Sequence, residues 1–368
     1  MQVVECGGPG GTGYQVAAIC RDLPKNRIEN HLAFAVRPGS TVEDYRSLAR
    51  GAHAFHHIPA MTREINPLRD LSAWFSLFSL FRREAPDVVH AHSSKAGFLA
   101  RSAAWAAGVG RVYYSPRGYA HQQTDRSALS RFLYRSLESL VSPIGEIVAV
   151  SEAEASLARA LAGSRKVRVI ADAFLGEIPD APKRPSDPPL RVVASGRISF
   201  PRRPEAFVEL ASLLRTFEVP LEFIWIGDGE LREEMERARE EAGLSHTLKI
   251  TGWLSREEAC AKVRAADIFV HFSRWEGLPN AVLEAMAAGL PVVASDLPAN
   301  LELVRPDETG FAAATVAQLA DFVRRLAQDK YLRKRLGKNG WETVRRRYSR
   351  ERLISELTDL YADGVSRA

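Results

Sequence analysis

Short apolar runs and longer stretches of helical period alternate along this chain. In the first half, Met1–Glu5, His31–Val36, Ala54–Ile58, Asp87–Ala91, Arg111–Ser115, Glu146–Val150 and Val167–Ile170 read as strands. Between them, Tyr14–Leu23, Pro67–Arg83, Ser94–Ala107, Ser127–Val141 and Ala153–Leu161 carry the period of helices. The pattern stops over Phe174–Pro189, where EIPDAPKRPSDPP is proline-rich, charged and aperiodic, as linkers are. It resumes with strands at Leu190–Ala194, Leu221–Ile226, Leu248–Thr251 and Asp267–His271, with helices at Glu205–Thr216, Glu230–Ala242 and Arg256–Ala265 between them. Helices from Ala317 finish the chain. Such alternation predicts an α/β fold of mainly parallel sheets covered by helices on both faces. The expected organisation is two Rossmann-like doubly wound domains, residues 1–175 and 190–368, joined by a linker at 176–189 and facing across a cleft. Ligands of such sheets bind beyond the C-terminal ends of the strands.

One stretch breaks the pattern chemically. FSRWEGLPNAVLEAMAAGLPVVASD, Phe272 to Asp296, reads as loop, helix and buried strand. Pro279 and Asn280 suit a helix start with Asn280 as N-cap, and Gly289 suits its end. Glu284 is the single charge between Ala281 and Ser295. A buried carboxylate needs a partner, so Glu284 is either ion-paired inside the protein or faces a cleft and binds something.

Composition sets bounds. The chain has 368 residues, 46% hydrophobic and 26% charged, which fits two globular domains and excludes disorder as the main state. The net charge of +5 permits a polyanionic partner without demanding one. Cys6, Cys20 and Cys260 are far apart, which argues against a disulfide framework or zinc knuckle and for a reducing compartment. Neither a leader nor a membrane-span-length apolar run is evident, so a cytoplasmic location is expected, with any membrane contact peripheral.

Candidate chemistry gathers where the predicted strands end. CGGPGGTG, Cys6 to Gly13, lies between a strand and a helix, where backbone amides approach an anion closely. Its glycines lack the dinucleotide spacing, so no dinucleotide cofactor is expected. Ser195-Gly196-Arg197 ends the first strand of the second half, and Arg202 and Arg203 sit at the turn into its helix. Arginine meets phosphate oxygens in a fork, and Gly196 clears space beside it. Glu276 lies on the loop before the Glu284 helix, whose N-terminus carries partial positive charge. Cations and a helix end for phosphates, with two carboxylates for hydroxyls, describe a nucleoside-diphosphate sugar.

Glu276-GLPNAVL-Glu284, followed by AMAAGLPVVASD, resembles the E-x7-E signature of family-4 retaining glycosyltransferases, which have the two-Rossmann GT-B architecture. The likeness extends through GGPGGTGYQV, PDVVHAHSSKAG, YSPRGYA, VAVSEAE, SGRISFPRRP, IGDGELR, Ile250-Thr-Gly-Trp253 and DETGF. It is nearest to bacterial members that build exopolysaccharides, capsules and O-antigens. The resemblance implies transfer of a sugar from a nucleoside-diphosphate donor, a UDP-sugar favoured and GDP-mannose the alternative, with retention at the anomeric carbon. The acceptor it implies is a saccharide, expected to be lipid-linked. It assigns Arg197 and Arg202 to the donor diphosphate, Glu276 to the donor-sugar hydroxyls and Glu284 to the ribose. Gly277 and Leu278 would contact the donor through backbone, beside Gly196 and Asn280, while Trp253 borders the base and Gly11 lies against the donor from the first domain. No cofactor and no catalytic metal are expected.

Two positions depart from the family pattern. Arginine stands at 202 where lysine is usual, and Ser115-Pro116-Arg117-Gly118 stands where many members read T-P-H-G. Arg117 cannot act as a base at neutral pH, so it is expected to hold acceptor or donor as a cation. A non-catalytic nucleotide-sugar-binding protein, or a sugar-nucleotide epimerase on the same fold, is the alternative. His92 and Lys95 are candidates for the acceptor side, and His90 with His92 lacks a third ligand for a metal. The apolar helix after Pro67 is expected to pack on the sheet. Arg126, Arg131 and Arg135 around the next basic helix, and the run Lys330–Arg352, suit an anionic membrane surface. No nucleic-acid-binding module is recognisable.

Overall fold

The computed structural model describes residues 1–8, 10–37, 39–62, 64–162, 167–182 and 186–363. Two compact units emerge, Met1–Leu175 with the C-terminal stretch from Arg350, and Gly176–Ser349. The first holds strands β1 (Gln2–Gly7), β2 (His31–Val36), β3 (Ala54–His57), β4 (Val88–His92), β5 (Arg111–Ser115), β6 (Glu146–Ala149) and β7 (Val167–Val169). Its helices are α1 (Gly11–Asp22), α2 (Val42–Leu48), α3 (Pro67–Glu84), α4 (Ser94–Ala107), α5 (Ala128–Val141) and α6 (Glu152–Ala162). The second holds β8 (Leu190–Ser195), β9 (Leu221–Ile226), β10 (Leu248–Ile250), β11 (Ile268–His271), β12 (Val292–Ser295) and β13 (Gly310–Ala313). Its helices are α7 (Pro204–Leu213), α8 (Arg232–Glu241), α9 (Arg256–Ala265), α10 (Asn280–Ala287), α11 (Pro298–Leu301), α12 (Val316–Gln328) and α13 (Lys330–Arg347); α14 (Arg350–Ala362) follows.

Both sheets are parallel throughout, ordered β3-β2-β1-β4-β5-β6-β7 and β10-β9-β8-β11-β12-β13. Strand order therefore reverses beside β1 in one sheet and beside β8 in the other. Each reversal opens a crevice at the strands' C-terminal ends, because the connections on its two sides leave in opposite directions. The strands next to it are apolar and buried, as strands covered on both faces must be: Val192, Val193, Ile268, Phe269, Val292 and Val293 form the centre of the second sheet. Helix starts follow local chemistry. Asn66 accepts from the Arg69 amide with Pro67 at the first turn of α3, and Ser255 and Glu258 close a reciprocal capping box on α9.

Three details differ from the sequence expectation. Pro279, not Asn280, caps α10, and Asn280 is the first helical residue. The described part of the 176–189 linker belongs to the second unit and is tied to α13: Trp341 donates to the Pro179 carbonyl at 2.9 Å and Arg333 to that of Ser186 at 3.0 Å. Residues 183–185 of that linker lie outside the described residues. The second domain does not run to the C-terminus, because α14 packs in the first unit. Leu353, Leu357, Leu360 and Tyr361 join a core with Ile19, Leu23, Tyr113, Val148 and Ile170. A sequence pattern shows α14's apolar face but not which sheet covers it.

Truncating a fully buried leucine removes transfer energy and leaves a cavity. Leu357→Ala is therefore expected to cost about 2–5 kcal/mol, read as a lower denaturant midpoint for the first unit. An unchanged midpoint would show that α14 is not part of that unit's core.

Candidate functional site

At the crevice beside β8, the chain leaves the strand through Gly196, whose φ of 136° is a conformation that side chains with a Cβ rarely adopt. The loop beyond it returns Arg202 toward the end of β11. There the Arg202 guanidinium pairs with Glu276, and its Nη1 lies 3.0 Å from His271 Nε2. His271 Nε2 is in turn 2.8 Å from Glu276 Oε1. Glu276 is 8% exposed and Arg202 28%, so the carboxylate is sunk behind a cation that still reaches the surface. Burial by itself would raise the Glu276 carboxyl, but the charge of Arg202 and the hydrogen bond from His271 outweigh it and hold the group below its ordinary value. Burial keeps His271 below its usual value despite Glu276, so it is a neutral imidazole that orients the carboxylate. The result is a fixed ion pair whose arginine lines a recess together with Ser195, Arg203, His271 and Phe272.

The other arginines here differ in how firmly they are held. Arg197 is half exposed and meets the equally exposed Glu230 at 2.8 Å, a pair of small worth in water. Arg203 stacks over the Phe272 ring at 4.5 Å. Arg274 bonds Glu205 at 3.0 Å and the Phe200 carbonyl at 3.1 Å, bracing the 200–203 turn. Neither His271 nor Arg274 was singled out from the sequence, although His271 ends a predicted strand on the ligand-binding edge.

The two alternatives for Glu284 are both partly realised. It is a quarter exposed and 3.9 Å from Arg256 Nη2 on α9, too long for a strong hydrogen bond. Burial raises its carboxyl and Arg256 offsets only part of that. On the loop before it Leu278 is buried, and no acidic residue occupies the first turn of α10. Trp253 stands well exposed just past the bridge that pairs Gly227 with Gly252.

In the first unit the glycine-rich turn does open a helix. Gly10 caps α1 and Gly11 is its exposed first residue, with no acid in the first turn. A Cβ on Gly13 would stand 2.2 Å from the Gly8 carbonyl oxygen, so the turn closes only with glycine there. Arg37, from the end of β2, lies over Gly10 and donates to the Cys6 carbonyl.

The three expected acceptor-side or catalytic residues of this unit are instead buried with partners. Arg117, at a φ of 53°, is ion-paired with Asp172, and its Nε is 3.4 Å from His92 Nδ1. His92 is fully buried and its Nε2 lies 2.8 Å from the Gln2 side chain. Lys95 pairs with Asp70 and donates to the Glu64 carbonyl at 2.8 Å. His90 meets the Tyr361 hydroxyl at 2.6 Å and that of Ser115 at 2.9 Å. Burial, then neighbouring positive charge, holds both imidazoles well below their usual value, so they are neutral links in a hydrogen-bonded core. Arginine at 117 is thus answered by Asp172, a partner 55 residues away that no local motif marks. Glu154 completes the network, accepting from the amides of Gly118 at 2.7 Å and Val150 at 2.9 Å. Its Ser-x-x-Glu spacing from Ser151 was a readable capping signal.

Burial raises Glu154 from an ordinary 4.5 to about 7, the two amide bonds and Arg117 offsetting part of the effect. The folded chain then holds a proton that the unfolded chain has lost between about pH 4.5 and 7, so stability falls as pH rises through that window. Glu154→Gln is expected to flatten this slope, measured as denaturant midpoints at pH 5 and pH 8. Parallel slopes in wild type and variant would remove Glu154 as the cause.

The family model for Glycosyl transferases group 1 matches residues 177–343, and that for the Glycosyl transferase 4-like domain matches residues 10–173. The UDP-Gal:alpha-D-GlcNAc-diphosphoundecaprenol alpha-1,3-galactosyltransferase of Escherichia coli is 27% identical over 326 residues, 84% of this chain and 83% of its own. LpsD of Rhizobium meliloti, a lipopolysaccharide core biosynthesis glycosyltransferase, is 28% identical over 338 residues, 90% of each chain. Among solved structures, Anabaena HepE in complex with UDP and glucose superposes with a TM-score of 0.78 at 16% identity, over 99% of this chain and 100% of its own. Sucrose-phosphate synthase of Thermosynechococcus elongatus does so with 0.79 at 17% identity, over 100% and 99%. These structural likenesses show the fold, two Rossmann-like units of the GT-B class.

Proposed function

This chain belongs to the glycosyl transferases of group 1 and is an enzyme of that family, and from this premise we propose that it moves a hexose from a UDP-sugar to a lipid-linked saccharide during cell-surface polysaccharide synthesis. The observation that carries the reading is the Arg202–His271–Glu276 cluster at the β8/β11 crevice. A fixed cation stands where the leaving diphosphate gains charge, and a preorganised cation there stabilises the transition state without reorganising. In this reading Arg197, loosely held, closes onto the same diphosphate, and the α10 end with Gly277 and Asn280 meets it from the other side. Glu276, kept ionised, accepts from donor-sugar hydroxyls, and Glu284 from the ribose, with Gly196, Leu278 and Trp253 shaping the walls. The C1–O bond to the diphosphate breaks and the acceptor oxygen bonds C1 on the same face, its proton passing to the departing phosphate. Retention follows from that face, and protein cations take the place of a metal at the diphosphate. The E. coli relative supports both UDP and a polyprenyl-linked acceptor, since its name carries each, and the HepE complex supports UDP.

Arg202→Ala is expected to lower kcat about 10²–10³-fold, the loss usual for one transition-state donor. Glu284→Gln is expected to raise the donor KM with kcat nearly unchanged and the fold intact. Steady-state kinetics over a panel of UDP- and GDP-sugars measures both. Full activity in Arg202→Ala would contradict the assignment.

A lipid-linked acceptor calls for a surface that meets a membrane. Among the described residues no helix is long and apolar enough to span one. Helix α3 packs Ala73, Leu77, Leu80 and Phe81 inward, as expected, but it also leaves Leu68, Leu71 and Phe75 exposed. On α5, Leu129, Phe132 and Leu133 are exposed beside Arg131 and Arg135. Arg126 reaches Glu64 at 3.3 Å, so the starts of the two helices adjoin. An apolar patch rimmed by arginines suits peripheral insertion into an anionic leaflet. The run Lys330–Arg352 suits it less, because Arg333 is buried on the carbonyls of Leu326 and Ala327. Wild type is expected to sediment with anionic liposomes, and Phe75→Ser with Phe132→Ser to stay in the supernatant. Equal sedimentation of the two would assign the patch elsewhere.

A further inference from the structure

At the β3 edge of the first sheet, three metal-ligating side chains converge that the donor chemistry does not use. His31 opens β2, His56 lies on the neighbouring edge strand β3, and Glu84 ends α3. In parallel register Ala33 pairs with His56, so the two imidazoles are diagonal neighbours on adjacent strands. Among the described residues they form, with Glu84, a group whose ligand atoms all lie within 4.8 Å of one another. His56 Nε2 is 3.4 Å from His31 Nδ1, and Glu84 Oε2 is 3.8 Å from that same nitrogen.

We propose that His31 Nδ1, His56 Nε2 and Glu84 Oε2 form a site for a divalent d-block cation, zinc being the best fit, separate from the donor site. Ligands at about 2.0–2.1 Å from a tetrahedral zinc stand roughly 3.3–3.4 Å apart. The His31–His56 separation already has that length, and the carboxylate needs only a small side-chain adjustment. The outer partners also point the right way. His31 Nε2 lies 3.1 Å from Glu29 Oε1, and donation there leaves Nδ1 with its lone pair facing the site. That is the carboxylate–histidine arrangement that usually supports a metal-bound imidazole. Glu84 is braced likewise: its Oε1 accepts from Arg83 Nε at 2.9 Å, which leaves Oε2 toward the imidazoles. Two histidines and one carboxylate complete three positions, and water takes the fourth. All three residues are half buried, open enough for a metal to enter and enclosed enough to desolvate it. Bound there, the cation would fasten the edge strand β3 and the end of α3 to β2. It would thereby stiffen the helix that carries Leu68, Leu71 and Phe75. The role is structural, which leaves a metal-free diphosphate site in the same protein consistent with it.

The test is calorimetric titration of zinc chloride into chelator-treated full-length protein, beside thermal unfolding with and without zinc. One equivalent is expected to bind and raise the Tm of the wild type. His56→Gln and Glu84→Gln should each lose that equivalent and the Tm rise, and Glu29→Gln should weaken binding about tenfold. Circular dichroism at 20 °C verifies that the variants remain folded. Absence of binding at 100 µM zinc, or an equivalent that survives in both His56→Gln and Glu84→Gln, would overturn the proposal. The second outcome would place the metal on other groups.

Discussion

The Glu276 carboxylate is the constraint around which the second unit's site is arranged. It lies almost wholly out of water at a sheet edge, and an unpaired buried carboxylate costs several kcal/mol. Arg202 and His271 meet that cost, and meeting it fixes the loop after β8 against the loop after β11. Strand order places these two loops on either side of the reversal, so the ion pair spans the crevice itself. The pair thus has two consequences: it ties the two loops together across the crevice, and it holds the Arg202 cation in place through protein groups. Arginine serves here because one nitrogen of its fork pairs with Glu276 while further donors remain on the same plane.

The first unit solves a similar problem differently. Arg117 stands where a histidine was expected, and the chain has built a complete setting for it: Asp172 as counter-ion, His92 beside it, Glu154 under the next glycine, and Tyr361 of α14 against His90. This network is closed on itself, which makes it a determinant of the unit's stability and of how α14 docks. Among the described residues, Gly11 at the start of α1 and the apolar faces of α3 and α5 remain exposed.

Most of the architecture was legible because parallel strands covered on both faces read as continuous apolar runs, and proline marks the passage between units. As candidates, Glu284 stood out as the one charge in an apolar helix, and Glu276 and Arg202 as charges on the loops at the predicted ligand-binding edge. What could not be read was pairing at a distance. Asp172 lies 55 residues from Arg117, and His31 and His56 come together only through strand register. Neither α14's place in the first unit nor Lys95's burial on Asp70 follows from local pattern, since each depends on which surface an amphipathic helix meets.

The central claim is that Arg202, held by Glu276, reads the diphosphate of the donor. Calorimetric affinities of UDP and of uridine, each measured on wild type and on Arg202→Ala, isolate that contribution. The account predicts that UDP binds the wild type at least about a hundredfold more tightly than uridine does, a gap of roughly 2.7 kcal/mol, and that the gap shrinks by most of that amount in Arg202→Ala while uridine binding is unchanged. An equal preference for UDP in both proteins would contradict it.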